Sequence, residues 1–118
     1  MINLNQAILS GNVVSDAEVR YTKTGKPVLT FRMATNKTVN NEQYATFHNV
    51  VSWVDSEENG GLMKGDFVTV IGEIRNRKYK AQDGTDKYIS EIVATNITVG
   101  VKKNESNFNN FNDETVSF

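Results

Sequence analysis

Cationic and aromatic side chains are concentrated in one stretch of the sequence, on both sides of an Asp83-Gly84 pair. Cations neutralise phosphates, and an aromatic ring stacked on a base contributes about 1–3 kcal/mol whatever the base. These residue types therefore indicate a surface suited to a polyanion with exposed bases. The same pattern fits a hairpin that its charges keep soluble and its lysines keep from edge-to-edge pairing. The candidate residues of this stretch are Arg75, Arg77, Lys78, Tyr79, Lys80, Lys87 and Tyr88.

Residues 66–99 are predicted to form two long strands joined by a tight turn. β-branched residues lie on both sides of Asp83-Gly84, a common pair in two-residue hairpin turns. With such a turn, Tyr79 faces Tyr88 and Lys80 faces Lys87. Side chains alternate along a strand, so Tyr79 is expected on the same face as the two arginines before it.

Three further candidates come from earlier in the chain. Residues 27–36 alternate between apolar and polar side chains, as in a half-buried strand, and Arg32 falls on the polar side. Residues 46–54 form the third predicted strand and supply two rings, Phe47 and Trp53. Both rings could instead belong to the core, but the polar neighbours of Trp53 favour exposure. We therefore add these three residues to the candidate surface for nucleic acid.

The whole pattern predicts an all-β domain. A first strand begins near Asn5 and extends to Tyr21, and residues 37–44 are polar and predicted to be a loop. Asp55 has the N-cap chemistry of a short helix, which Gly60-Gly61 would end. Five strands with one short helix between strands three and four favour a closed Greek-key barrel, the OB-fold. Periodicity alone leaves an SH3-like barrel or a small sandwich open.

Composition indicates one folded domain followed by a tail of different character. Residues 1–103 carry 13 basic and 11 acidic residues, a net charge of +2. Residues 104–118 are of low complexity, carry a net charge of −3, and are expected to be disordered without a partner. No apolar run is long enough to span a membrane, and the first residues lack the features of a secretory signal. We therefore expect a soluble, cytoplasmic protein.

Catalysis is disfavoured by what the sequence lacks. The chain has no cysteine and a single histidine, His48, so neither a thiolate site nor a histidine cluster for a metal is available. The carboxylates show no convergent pair, and no glycine-rich segment has the phosphate-binding pattern before a helix. We expect a protein that is not an enzyme, with no catalytic residues, no cofactor and no metal.

Several short motifs follow one another along residues 5–99 in a specific order. They are residues 5–12, 16–21, 34–36, 46–51, 62–66, 70–77 with Tyr79, 83–88 and 91–94. Their succession closely resembles that of the bacterial and phage single-stranded DNA-binding proteins, which have an OB-fold. The resemblance implies a domain at 1–103 that binds single-stranded DNA and oligomerises, usually as a homotetramer built as a dimer of dimers.

The resemblance also implies roles for individual residues. Phe47, Trp53 and Tyr79 fall where the family places base-stacking rings, and His48 falls at a position of a subunit interface. Val39 lies near the position of a further stacking tryptophan in many members, so that ring is replaced here. The basic residues Arg75, Arg77, Lys78 and Lys87 match positions that hold backbone phosphates.

The last residues resemble the acidic tip by which the family recruits replication, recombination and repair proteins. Phe118 offers a ring and an α-carboxylate together, which a basic-rimmed apolar pocket could capture. The tip here has fewer acids than is usual in the family, and Ser117 where proline is common. The resemblance assigns Asp113, Glu114, Val116 and Phe118 to this tip.

Two other function classes stay open from the sequence. One is an OB-fold subunit of the primosome type that chiefly binds protein and binds nucleic acid weakly. The other is a small OB-fold hydrolase, which would need a convergent carboxylate site.

Overall fold

The computed structural model describes residues 2–100 and consists of five strands joined by turns. The predicted tail at 104–118, with its tip residues Asp113, Glu114, Val116 and Phe118, lies outside the described residues. In residues 2–100, no helix is long and apolar enough to cross a membrane. The strands are β1 (Ala7–Tyr21), β2 (Pro27–Val39), β3 (Glu42–Ser52), β4 (Phe67–Lys80) and β5 (Asp86–Val99).

The five strands form a closed barrel in the order β1-β2-β3-β5-β4, as predicted for a Greek-key barrel. The long strand β1 closes it by pairing antiparallel with two partners. Its first half, Ala7 to Asn12, pairs with β4, and Asn12 to Tyr21 pairs with β2. The one parallel contact among the described strands joins β3 to β5 over three residue pairs, from Val50↔Ile92 to Ser52↔Ala94.

Alternation along the strands divides their side chains between the barrel interior and its outer surface. Leu29, Phe31 and Met33 of β2 are buried, as predicted, and Arg32 between them is exposed. Burial of such apolar side chains is the main favourable contribution to folding. The core is completed by residues of every other strand and one turn: Val13, Val50, Leu62, Val68, Val70, Ile92 and Ala94.

Glycine is required at two positions where strands approach each other closely. A Cβ on Gly11 would lie 2.0 Å from the carbonyl oxygen of Ala34, and one on Gly72 would lie 2.2 Å from that of Val93. Both neighbours are backbone atoms, which cannot move aside without disturbing the sheet. Gly72 also lies at a register shift of the β4–β5 ladder. The absence of a side chain at both positions permits the barrel to close.

The predicted short helix is wrong: residues 53–65 form a series of turns and bends instead. Asp55 has a positive φ of 51° and is therefore not the extended N-cap that we predicted. The Ser56 hydroxyl is buried and donates to the Ser52 carbonyl at 2.8 Å. The Tyr21 hydroxyl donates to the Glu57 carboxylate at 2.6 Å, which fixes these turns against the end of β1.

The predicted loop at 37–44 is also wrong, because β2 and β3 continue as a hairpin. Val39 pairs with Glu42, and the two residues between them, Asn40 and Asn41, have φ values of 52° and 67°. Positive φ at both central positions is the geometry of a type I′ turn, which asparagine tolerates better than most residues. The polar composition of this segment therefore reflects exposure on both faces of a hairpin.

The β4–β5 hairpin exists as predicted, but its register differs by one residue. The Ala81 N–H donates to the Thr85 carbonyl at 2.9 Å across a three-residue loop, Gln82 to Gly84, in which Gly84 has a φ of 85°. This loop length takes a left-handed residue at its last position. The Asp83 carboxylate accepts from the Thr85 N–H at 3.0 Å and from its hydroxyl at 2.6 Å. These contacts favour the longer loop over the predicted two-residue turn.

Candidate nucleic-acid interface

Side chains of β2, β3, β4 and β5 that point away from the core form one continuous surface, which we call the outer face. Cross-strand pairs define it: Ala34↔Phe47 and Arg32↔Asn49 link β2 to β3, and Val51↔Val93 links β3 to β5. The pairs Arg75↔Glu91, Arg77↔Ile89 and Tyr79↔Lys87 continue it along the β4–β5 hairpin. The shared face predicted for Arg75, Arg77 and Tyr79 is therefore confirmed.

A buried carboxylate lies at the centre of the outer face. Glu91 has a side chain that is 2% exposed, and its Oε1 accepts from Arg75 Nη2 at 2.5 Å and from Arg77 Nε at 3.1 Å. Arg75 Nε adds a third bond at 3.2 Å. Burial opposes ionisation of Glu91, but the hydrogen bonds and charges of the two arginines outweigh it and lower the pKa of the carboxyl below its usual value. This ion pair could not be predicted from the sequence, because it depends on which residues of β4 and β5 lie opposite each other.

A groove of about 300 Å³ runs across the outer face beside this cluster. Arg32 and Asn49 line it from β2 and β3, and Arg77 and Ile89 line it from the hairpin. Two more carboxylates, Asp16 and Glu18, border it from β1. The groove therefore separates two arginines that come from distant parts of the chain.

Three of the predicted rings are accessible on or beside the outer face. Phe47 is 55% exposed, Tyr79 is 44% exposed, and Trp53, just beyond the end of β3, is 37% exposed. None of the three is sealed in the core, so each has surface on which a base could stack.

Two of these rings carry a cation on one side. The Arg32 guanidinium lies 5.3 Å from the centre of the Phe47 ring, and Lys26 Nζ lies 5.2 Å from that of Trp53. Such contacts are attractive, and they also place positive charge next to a stacking surface. Lys26 was missed by sequence reasoning because it belongs to the turn before Pro27. Its proximity to Trp53 follows from the β2–β3 register.

The opposite face of the hairpin carries the other predicted candidates. Lys78 pairs with Tyr88 and Lys80 pairs with Asp86, so the predicted pairs Tyr79 with Tyr88 and Lys80 with Lys87 are wrong. Asp86 forms salt bridges with Lys78 at 3.2 Å and with Lys80 at 3.6 Å. The structure therefore does not bring Lys78, Lys80 and Tyr88 to the face of Tyr79. Lys87 lies on that face, directly opposite Tyr79.

His48 is half-buried in β3, and its Nε2 lies 3.0 Å from the Thr35 hydroxyl. Burial lowers the pKa of the imidazole below its usual value. Its predicted role at a subunit interface stays a prediction.

Residues 4–100 match a family described as the single-strand binding protein family. The chain belongs to this family. A relative from Streptococcus pneumoniae, named single-stranded DNA-binding protein, is 40% identical over 98 residues, which are 79% of this chain and 63% of the relative. A relative from Listeria innocua, named single-stranded DNA-binding protein 2, is 33% identical over 132 residues, covering 98% of this chain and 82% of its own. The chain thus spans somewhat less than two thirds of the streptococcal protein.

The fold of this family member matches a solved structure described as a Plasmodium falciparum SSB complex with ssDNA. The TM-score is 0.75 with 24% sequence identity, and the match covers 86% of this chain and 98% of the other. This likeness confirms the predicted OB-fold.

Replacing the buried carboxylate should alter the pH dependence of stability. The pKa of Glu91 is lowered on folding, so its contribution is present above the unfolded value near 4.5 and is lost as pH falls through the lower folded value. Glu91→Gln should therefore reduce the free energy of unfolding by about 1–3 kcal/mol at pH 7, and the deficit should shrink by pH 3. Urea unfolding of both proteins at the two pH values measures this. Glu73→Gln, which changes an exposed carboxylate of β4, is the control, and an equal deficit at both pH values would contradict the prediction.

Proposed function

We propose that this family member binds single-stranded DNA along its outer face, without sequence preference and without catalysing a reaction. The observation that carries the proposal is the arrangement of three exposed rings and several cations on and beside one continuous surface with a groove. The names of the two bacterial relatives support it. The proposed activity is protection of unpaired DNA during replication, recombination and repair.

The proposed mechanism combines two interactions that differ in their dependence on salt. Guanidinium and ammonium groups neutralise phosphates and release counterions, so affinity falls as salt rises, by about 0.7 in log K per log salt for each phosphate. Rings stack on exposed bases, and this contribution tolerates any sequence because every base has a flat face. In a duplex the bases already stack on each other, so the rings have nothing to contact. The protein therefore discriminates by strandedness.

Oligo-dT should bind far more tightly than a duplex of the same length. The affinity for oligo-dT should decrease with salt along a straight line on logarithmic axes, since counterions are released. Fluorescence anisotropy with labelled DNA from 50 to 300 mM salt, roughly the range over which such binding changes most, measures both quantities. Equal affinity for oligo-dT and duplex would refute the proposed function.

Tyr79→Ala should weaken binding of oligo-dT by about 1–3 kcal/mol, because it removes a stacking surface on the outer face. Tyr88→Ala is the matched control: it removes the same kind of ring from the same hairpin, but from the opposite face. We expect a smaller effect for Tyr88→Ala. Titrations of both variants, with circular dichroism to confirm folding, measure the difference. A larger loss for Tyr88→Ala would place the DNA on the other face.

We further propose that the protein assembles as a homotetramer, a dimer of dimers, with His48 at a subunit interface. The proposal rests on the family resemblance and on the position of His48 in β3, where the imidazole is half-buried. The mass in solution, measured by light scattering with and without oligo-dT, tests it. A monomeric mass under both conditions would contradict it.

The acidic tip formed by Asp113, Glu114, Val116 and Phe118 is proposed to recruit proteins of replication, recombination and repair. Deleting residues 113–118 should leave the solution mass and oligo-dT affinity nearly unchanged while it abolishes capture of those proteins. Full-length and truncated protein are each used in a pull-down from bacterial lysate, and mass spectrometry identifies the captured proteins. An identical set of captured proteins would contradict the proposal.

A further inference from the structure

The two arginines that share Glu91 are bound to it in different ways. Arg75 uses two nitrogens, Nε at 3.2 Å and Nη2 at 2.5 Å, so one edge of its guanidinium is occupied by the carboxylate. Arg77 uses Nε alone, at 3.1 Å. Within residues 2–100, neither terminal nitrogen of Arg77 has a hydrogen-bond partner. The terminal edge of the Arg77 guanidinium, with its two parallel donors, therefore remains available.

The position of the groove distinguishes the same two residues independently. Arg77, Ile89 and Glu91 line the groove, together with Arg32 and Asn49 from the barrel. Arg75, two cross-strand pairs closer to the base of the hairpin, is not among the lining residues. Arg77, which gives Glu91 one nitrogen instead of two, is thus also the arginine at the groove.

We propose that Arg77 is the member of this cluster that binds a DNA phosphate, and that Arg75 is a positioning residue that neutralises Glu91 and so keeps the terminal edge of Arg77 available. This inference rests on the proposed function and assigns unequal roles to two residues that sequence reasoning treated alike. A guanidinium edge with two parallel donors matches a phosphate well, because it can form two hydrogen bonds at once.

The chemistry of the buried carboxylate explains why Arg75 matters. A buried charge without sufficient partners is costly, so Glu91 would take more donors from whatever cation remains. Without Arg75, the only guanidinium of the cluster is that of Arg77, which would turn its terminal nitrogens toward Glu91. Loss of Arg75 should therefore weaken DNA binding indirectly, through Arg77. Removing Glu91 as well should release Arg77 and restore binding.

Two double variants test this division with net charge held constant. One variant combines Arg75→Gln with Glu91→Gln, and the other combines Arg77→Gln with Glu91→Gln. Each variant keeps one arginine and no carboxylate, so its local charge equals that of the wild type, which has two arginines and one carboxylate. Charge alone predicts equal binding for both. We expect the variant that retains Arg77 to match the wild type within about twofold. The variant that retains Arg75 should bind oligo-dT roughly tenfold more weakly, with a salt slope lower by about 0.7.

The single variants complete the experiment. Arg75→Gln alone should weaken binding, and adding Glu91→Gln should rescue it, whereas Arg77→Gln should not be rescued. A purely structural role of Arg75 would give no rescue. Thermal unfolding monitored by circular dichroism establishes that each variant is folded. If the glutamine variants do not fold, two apolar double variants replace them: Arg75→Met with Glu91→Leu, and Arg77→Met with Glu91→Leu. Proteins often tolerate the replacement of a buried ion pair by apolar side chains.

The outcomes separate this inference from the proposed function. If the wild type prefers oligo-dT but the two double variants have the same affinity and salt slope, the division of roles is wrong and the function stands. If Arg75→Gln is not rescued by Glu91→Gln, the inference is likewise wrong. If the wild type shows no preference for oligo-dT over duplex, the proposed function and this inference both fail. Rescue confined to Arg75→Gln supports the inference.

Discussion

The whole structure depends on the double pairing of β1. This strand pairs with β4 over its first half and with β2 over its second, and so joins the β2–β3 and β4–β5 hairpins, whose other edges meet at the short β3–β5 contact. Closure requires the backbones to approach within contact distance at Gly11 and Gly72, where a side chain has no room. Once the barrel is closed, each strand has one set of side chains in the core and the alternate set outside. The outer face is therefore formed by the alternate side chains, which do not enter the core.

Charge on the β4–β5 hairpin is more balanced than the number of its basic residues suggests. Arg75 and Arg77 share the buried Glu91, and on the other side of the hairpin two lysines share Asp86. Each carboxylate thus offsets one of its two cations. Each cluster of two cations and one carboxylate therefore keeps a net charge of +1, and the shared carboxylate holds its two cations in defined positions.

Much of the fold was predictable from the sequence, and the failures have physical causes. The alternation of Leu29, Phe31 and Met33 with polar residues predicts β2 correctly. A strand with one buried apolar face can be recognised from a short stretch of sequence, because neighbouring side chains alternate between the two faces. The hairpin at Asn40-Asn41 was missed, because its strands are exposed on both faces and show no alternation of polarity. The helix at 55–61 was wrong, since N-cap residues also favour turns.

The residue types of the candidate site could be predicted, but the contacts between its side chains could not. Exposed rings at Phe47, Trp53 and Tyr79 were expected, and the structure places them on or beside the outer face. The ion pair of Glu91 with two arginines depends on which residues of β4 and β5 lie opposite each other. That alignment was predicted one residue out of step, because the Asp83 side chain stabilises a three-residue loop.

This loop has a consequence for comparing hairpins of related proteins. Loop length sets which residues of β5 lie beside Tyr79, because a change of one residue exchanges odd for even positions along the distal part of that strand. If the same sequence closed with a two-residue loop at Asp83-Gly84, Tyr88 would take the place of Lys87 beside Tyr79. Positions in the β4–β5 hairpins of related proteins should therefore be matched by counting residues from the turn. A sequence alignment that ignores loop length would match residues from opposite faces of the hairpin.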